Sequence, residues 1–185
     1  MSQQDFVFVA DHRPLAEAAR EIARAVGARV DPEHSRPQRV SLVLSSSSPG
    51  PEVEVRCHVE ANEFAEQDPP PQEVNAYDGY PVLLDVWLRR RDDRRQQAEA
   101  KALFELLARA SPTPTLLVQE LGLLLAAHLP ARGVHEFPPD TTVDAEDRGV
   151  WGDWVVPVRV GRPDRATSRT VAPPCASDAD REERW

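Results

Sequence analysis

The sequence predicts an α+β domain, a mostly antiparallel sheet with two main helices on one face, and three observations carry that reading. The ten residues Glu52 to Ala61 place Val53, Val55, Cys57 and Val59 at odd positions and Glu52, Glu54, Arg56, His58 and Glu60 at even ones. A strict period of two belongs to a half-buried strand. The charged side faces water, which suits an antiparallel sheet covered on one side better than a fully buried parallel one. Two other stretches repeat apolar residues with the period of a helix, and strand-like runs bounded by turn residues lie between and around them.

In chain order, Phe6 to Ala10 is an aromatic and β-branched run that reads as a strand. Pro14 follows, where a first helical turn tolerates proline. Leu15, Ala18, Ala19, Ile22 and Val26 then form one stripe, and Gly27 stands just past its end. A loop carrying Pro32 and Pro37 leads to a strand at Val40 to Leu44, paired as a hairpin with the alternating strand. Residues 62–79, with Pro69, Pro70 and Pro71, read as a long excursion without regular structure. From Pro81 to Arg89 the alternation resumes, with Val82, Leu84, Val86 and Leu88 on one face and Leu83, Asp85, Trp87 and Arg89 on the other. Residues 94–110 form the second helix, its stripe being Leu103, Leu106, Leu107 and Ala110.

Thr115 to Val118 reads as a strand. Gln119 to His128 is apolar on all sides and fits either a strand or a buried helix; a short strand running into a short helix is favoured. Thr141 and Asp144 are spaced as a capping box for one turn through Asp147, and Val155 to Val160 as an edge strand. The order of elements predicts a ferredoxin-like, split β-α-β sandwich with an extra strand, a single domain over residues 1–160. Residues 161–185 balance five arginines against five acids, show no apolar period and read as a disordered tail.

The formal net charge is −9. Residues 51–78 carry eight acids against Arg56, and residues 136–153 carry six against Arg148. Such a surface repels nucleic acid and anionic membranes and attracts a basic protein partner. The run Arg89 to Arg95 is interrupted by Asp92 and Asp93, and reads as a polar connection. No apolar stretch approaches the ~18 residues of a membrane span, and the N-terminus lacks the basic and apolar regions of a signal peptide. Two cysteines make no disulfide framework, so the expected compartment is the cytoplasm. Arginine outnumbers lysine 21 to 1, a bias of high-GC genomes of the actinobacterial type.

Candidate chemistry is sparse. Cys57 and His58 are neighbours on a strand and point to opposite faces, so they cannot act as nucleophile and base. Eight glycines in no phosphate-cradling arrangement leave no nucleotide motif, and no cofactor is implied. The densest set of metal-ligand types is His128, His135, Glu136 and Asp140, with Asp144 as a base for a metal-bound water; this would make a metal-dependent hydrolase. Its spacing matches no metal motif, and a solvated acidic loop is the favoured reading. The wet sheet face is the better candidate site. With Trp87 beside Glu52, Glu54, His58, Glu60 and Asp85, it has the composition of a protein-binding hot spot, and Trp151 is a second candidate anchor.

In its size, acidity, high-GC bias and tryptophan-bearing segments such as Tyr80 to Arg89, and in Phe137-Pro138-Pro139-Asp140-Thr141-Thr142, the chain resembles the small acidic immunity-type proteins of bacterial toxin systems. That resemblance implies a compact α+β protein without enzymatic activity, which masks a partner's site. The expected function is therefore binding of a basic protein partner through an acidic surface.

Overall fold

The computed structural model describes residues 4–46, 54–88 and 92–158. The chain runs β1 (Asp5–Val9), α1 (Leu15–Val26), β2 (Arg29–Arg36), β3 (Arg39–Ser45), β4 (Glu54–Ala61), β5 (Val82–Leu88), α2 (Asp93–Ala110), β6 (Thr115–Gln119), β7 (Leu123–Leu129) and β8 (Gly133–Glu136), then a 3-10 turn (Ala145–Asp147) and α3 (Arg148–Trp151). The strands form one eight-stranded sheet in the order β2-β3-β4-β5-β1-β6-β7-β8, and every neighbouring pair is antiparallel. Because β5 and β6 both run opposite to β1 and flank it, they are parallel to each other, with α2 as the crossover between them.

One face of the sheet carries both long helices. Ala18, Ala19, Ile22 and Ala23 of α1 and Ala100, Leu103, Phe104 and Leu107 of α2 pack on Val7, Val9, Leu42, Val55, Cys57, Val59, Val82, Leu84 and Val86. α1 stops where Gly27 turns left-handed at φ 68° and returns its N–H to the Ala23 carbonyl. α2 starts on Asp92, whose carboxylate accepts from the Arg95 N–H. Of the expected stripe of α2, Leu103 and Leu107 are buried, joined by Ala100 and Phe104, whereas Leu106 is only half-buried and Ala110 exposed.

The opposite face divides in two. Over β1, β6, β7 and the start of β5 it is covered by the chain itself. Val74, Ala76, Tyr77 and Tyr80 come from the excursion after β4, and Phe137, Val143, Trp151 and Val155 from the segment after β8; they close over Phe8, Leu83, Leu116, Val118, Leu124 and Ala127. The excursion has no helix or strand, as expected, yet it is tightly held: Asn62 Nδ2 donates to the Tyr77 and Tyr80 carbonyls, and Tyr77 stacks on Phe8 at 5.2 Å. Over β2, β3, β4 and the end of β5 no described segment covers the same face, although Asp31 and Ser41 are themselves buried on it.

Several expectations are corrected. The Pro32 loop is an edge strand, β2, its pairing with β3 broken by a shift in register between Asp31 and Arg36. Edge strands tolerate proline and charge because one side needs no ladder partner. Gln119 to His128 holds no helix: after Gln119 comes a tight turn with Glu120 and Leu121 both left-handed, at φ 51° and 59°, and residues 123–129 are wholly strand. β8 is a further strand that the pattern did not suggest. The turn through Asp147 exists, but Asp144 caps it with no side-chain bond; Asp147 holds it instead, accepting from the Thr142 N–H and hydroxyl. Residues 155–158 form no strand, and the expectations for Arg89 and for residues 159–185 lie outside the described residues.

Candidate interaction surface

The alternation of β4 turns Val55, Cys57 and Val59 into the helix-covered core and Glu54, Arg56, His58 and Glu60 outward. Register then lines up partners across the open half-face. His58 sits between Ser41 of β3 and Asp85 of β5, Arg56 between Val43 and Trp87, and Glu60 between Arg39 and Leu83. Cross-strand neighbours lie close enough to touch, so Glu54, His58, Glu60, Asp85 and Trp87 form one contiguous surface. Glu52 lies outside the described residues.

Trp87 is the centre of this surface. It is 49% exposed on a strand that is otherwise buried or half-buried, with its ring 6.0 Å from that of His58. Its indole N–H donates to Asp85, whose other oxygen accepts from the Gln4 amide, so the ring is held in place by its own polar edge. Burial pushes the Asp85 carboxyl up, against the pull of these two donors. Burial also holds the His58 imidazole below its ordinary value, reinforced by the Arg39 charge, which favours its neutral form.

The acids of the face are paired. Arg39 Nε meets Glu60 at 2.6 Å, Arg56 Nε meets Glu54 at 2.9 Å, and Arg56 Nη1 reaches Asp31 Oδ2 at 3.1 Å. His34, Glu54, Arg56, His58 and Trp87 line an open groove of about 630 Å³. The surface is thus an aromatic anchor within a ring of ion pairs, not a bare acidic patch. Beyond Asp85 it meets a second aromatic: Phe6, the β1 partner of Asp85, lies 6.5 Å from the 45% exposed Phe64 of the covering excursion. Exposed acids Glu63 and Glu66 flank Phe64 in the chain.

Other candidates separate. Trp151 is 2% exposed, packed in the covering layer with its indole donating to the Asp144 carbonyl at 3.1 Å, so it is a core residue and no anchor. His128 and His135 do not converge: Glu136 pairs with Ala126 and Val134 with His128, which puts His128 and Glu136 on the helix side, while His135 faces the other way and stacks on Trp154 at 4.3 Å. Glu136 reaches Lys101 at 3.4 Å, and Asp140 and Asp144 are exposed on the loop beyond. Burial drives the Cys57 thiol far above its ordinary value, which removes it as a nucleophile.

The residues that sequence reasoning missed at the surface are Gln4, Asp31, His34, Arg39 and Phe64. They come from an edge strand, a strand end and an irregular excursion, and none of these carries a periodic signal. No protein-family model, curated protein or solved structure matches this chain.

Proposed function

We propose that this protein is a binding module without enzymatic activity, an immunity or regulatory protein of the cytoplasm that engages a basic protein partner through the open half-face around Trp87. The observation that carries the reading is the division of one sheet face. The chain spends two irregular segments covering β1, β6 and β7, yet leaves Trp87 half-exposed beside them, held by Asp85. A large aromatic fixed by its polar edge and ringed by satisfied polar groups is the usual form of a hot spot. Arginine and lysine side chains of a partner would stack on Trp87 and meet Glu54, Glu60 and Glu63.

The fold reading that goes with it takes the order β6-β1-β5-β4, with α1 and α2 on one face, as a ferredoxin-like unit extended by β2 and β3 at one edge and β7 and β8 at the other. The parallel placement of β5 and β6 around β1 supports it. Affinity capture from the native host, run side by side with wild type and Trp87→Ala, tests the function. A basic protein retained in stoichiometric amount by wild type and lost with the folded variant is expected. Identical capture by both proteins would move the interface away from Trp87.

A further inference from the structure

We infer that the bulged segment of β2 is a site for a divalent transition-metal ion of the zinc class, with Asp31, Glu33 and His34 as its ligands. One ligand atom from each of the three lies within 4.8 Å of the others. The register shift between Asp31 and Arg36 lifts this segment out of regular pairing, which is what lets residues at i, i+2 and i+3 converge. His34 Nδ1 already lies 2.9 Å from Asp31 Oδ2. A tetrahedral ion bound at ~2.0 to 2.2 Å to each needs little more than that separation.

A second observation stands apart from the cluster. Ser41 is fully buried, and its hydroxyl has no hydrogen-bond partner among the described residues. Ser41 is the direct cross-strand partner of Asp31, so both side chains project from the same face of the sheet. A buried hydroxyl without a partner is costly. An ion on Asp31, with the water that completes its shell, would stand on the face from which this hydroxyl projects and could give it a partner.

The donor set chooses the metal. One imidazole and two carboxylates suit zinc-class ions and neutralise a divalent charge, whereas calcium takes six to eight oxygens. Three protein ligands leave a fourth position, and His34 also lines the groove beside His58 and Trp87. The competitor is Arg56, whose Nη1 shares Asp31 Oδ2 at 3.1 Å; on binding, it must withdraw to Glu54, which it already holds at 2.9 Å.

The test uses the purified protein without any partner, so its outcome is separate from that of the proposed function. Titration of the metal-free chain with Co²⁺, followed by visible absorption and displacement with Zn²⁺, should show a single tetrahedral site. Glu33 and His34 are exposed, so Glu33→Gln and His34→Gln should keep the fold, checked by circular dichroism, and weaken binding by at least about tenfold each. Arg56→Gln should tighten it, because the competitor for Asp31 is gone. No tetrahedral Co²⁺ signal in wild type, or equal affinity in wild type, Glu33→Gln and His34→Gln, would overturn the assignment.

Discussion

Two residues show how burial decides what a side chain does here. Val55 is 3% exposed, packed beneath the helices, while its neighbour Glu54 stands in water with Arg56 as partner. Val55→Asp places an unpaired charge in the core at a cost of several kcal/mol, a large share of the ~5 to 15 kcal/mol that hold a domain together. It should unfold the protein by circular dichroism, whereas Glu54→Lys should move the melting midpoint little, since an exposed pair contributes ~0 to 1 kcal/mol. Asp5 offers a pH test. It is 3% exposed, Oδ1 has no partner among the described residues, and burial, with Glu120 adding to it, pushes its carboxyl up to about 6 from an ordinary 3.8. A carboxyl whose folded pKa is raised favours the protonated fold, so its contribution is greatest below about 3.8 and is lost as pH rises toward about 6. Asp5→Asn should therefore stabilise the protein at pH 7, by roughly 1 to 3 kcal/mol in chemical denaturation, and by far less at pH 4. Equal effects at both pH values would contradict the buried-carboxyl account.

At the scale of elements, the legible parts were those with a clean period. α1 falls at Leu15–Val26 as its stripe requires, and β4 and β5 show the expected alternation. The edge strands were not legible, because Pro32 in β2 and the four short residues of β8 carry the charge and brevity that protect an edge instead of a pattern. β7 was hidden for the opposite reason. Leu125 and Ala126 join the helix-side core, and Leu124 and Ala127 the core under the covering layer, so both faces carry apolar residues and no alternation survives. Its turn hid as well, since two consecutive left-handed residues in a hairpin turn ordinarily announce themselves as Asn-Gly. Here Glu120 and Leu121 take those angles, closed by the Gly122 N–H on the Gln119 carbonyl at 3.0 Å. Left-handed backbone costs such residues roughly 1 kcal/mol or more. Glu120→Asn should raise the melting midpoint by a few degrees, helped by removal of the charge that acts on Asp5. A lowered midpoint would show that Glu120 makes a compensating contact. The candidate site was half legible: β4 and β5 announced Glu54, Arg56, His58, Glu60, Asp85 and Trp87, but Arg39, which pairs Glu60, and the Asp31 bulge depend on long-range register.

For the molecule as a whole, the covering layer defines both stability and surface. Gly79 lies where an added Cβ would stand 2.4 Å from the Val156 carbonyl oxygen, and the Tyr80 hydroxyl accepts from the Val156 N–H, so the excursion and the C-terminal segment are locked together. Gly79→Ala must push backbone aside and should cost about 1 to 3 kcal/mol. Trp151→Ala opens the same layer and should cost about 3 to 5 kcal/mol; a midpoint unchanged by both would mean that this layer adds no stability. The half-face that no described segment covers is the surface on which the proposed function rests. The most direct measurement of that claim is the dissociation constant of the captured partner for wild type and Trp87→Ala, with melting midpoints recorded in parallel. Loss of a hot-spot aromatic is worth about 2 kcal/mol or more, roughly thirtyfold in affinity, at an unchanged midpoint. Equal affinity, or a drop in the midpoint that accounts for the loss, would contradict the account.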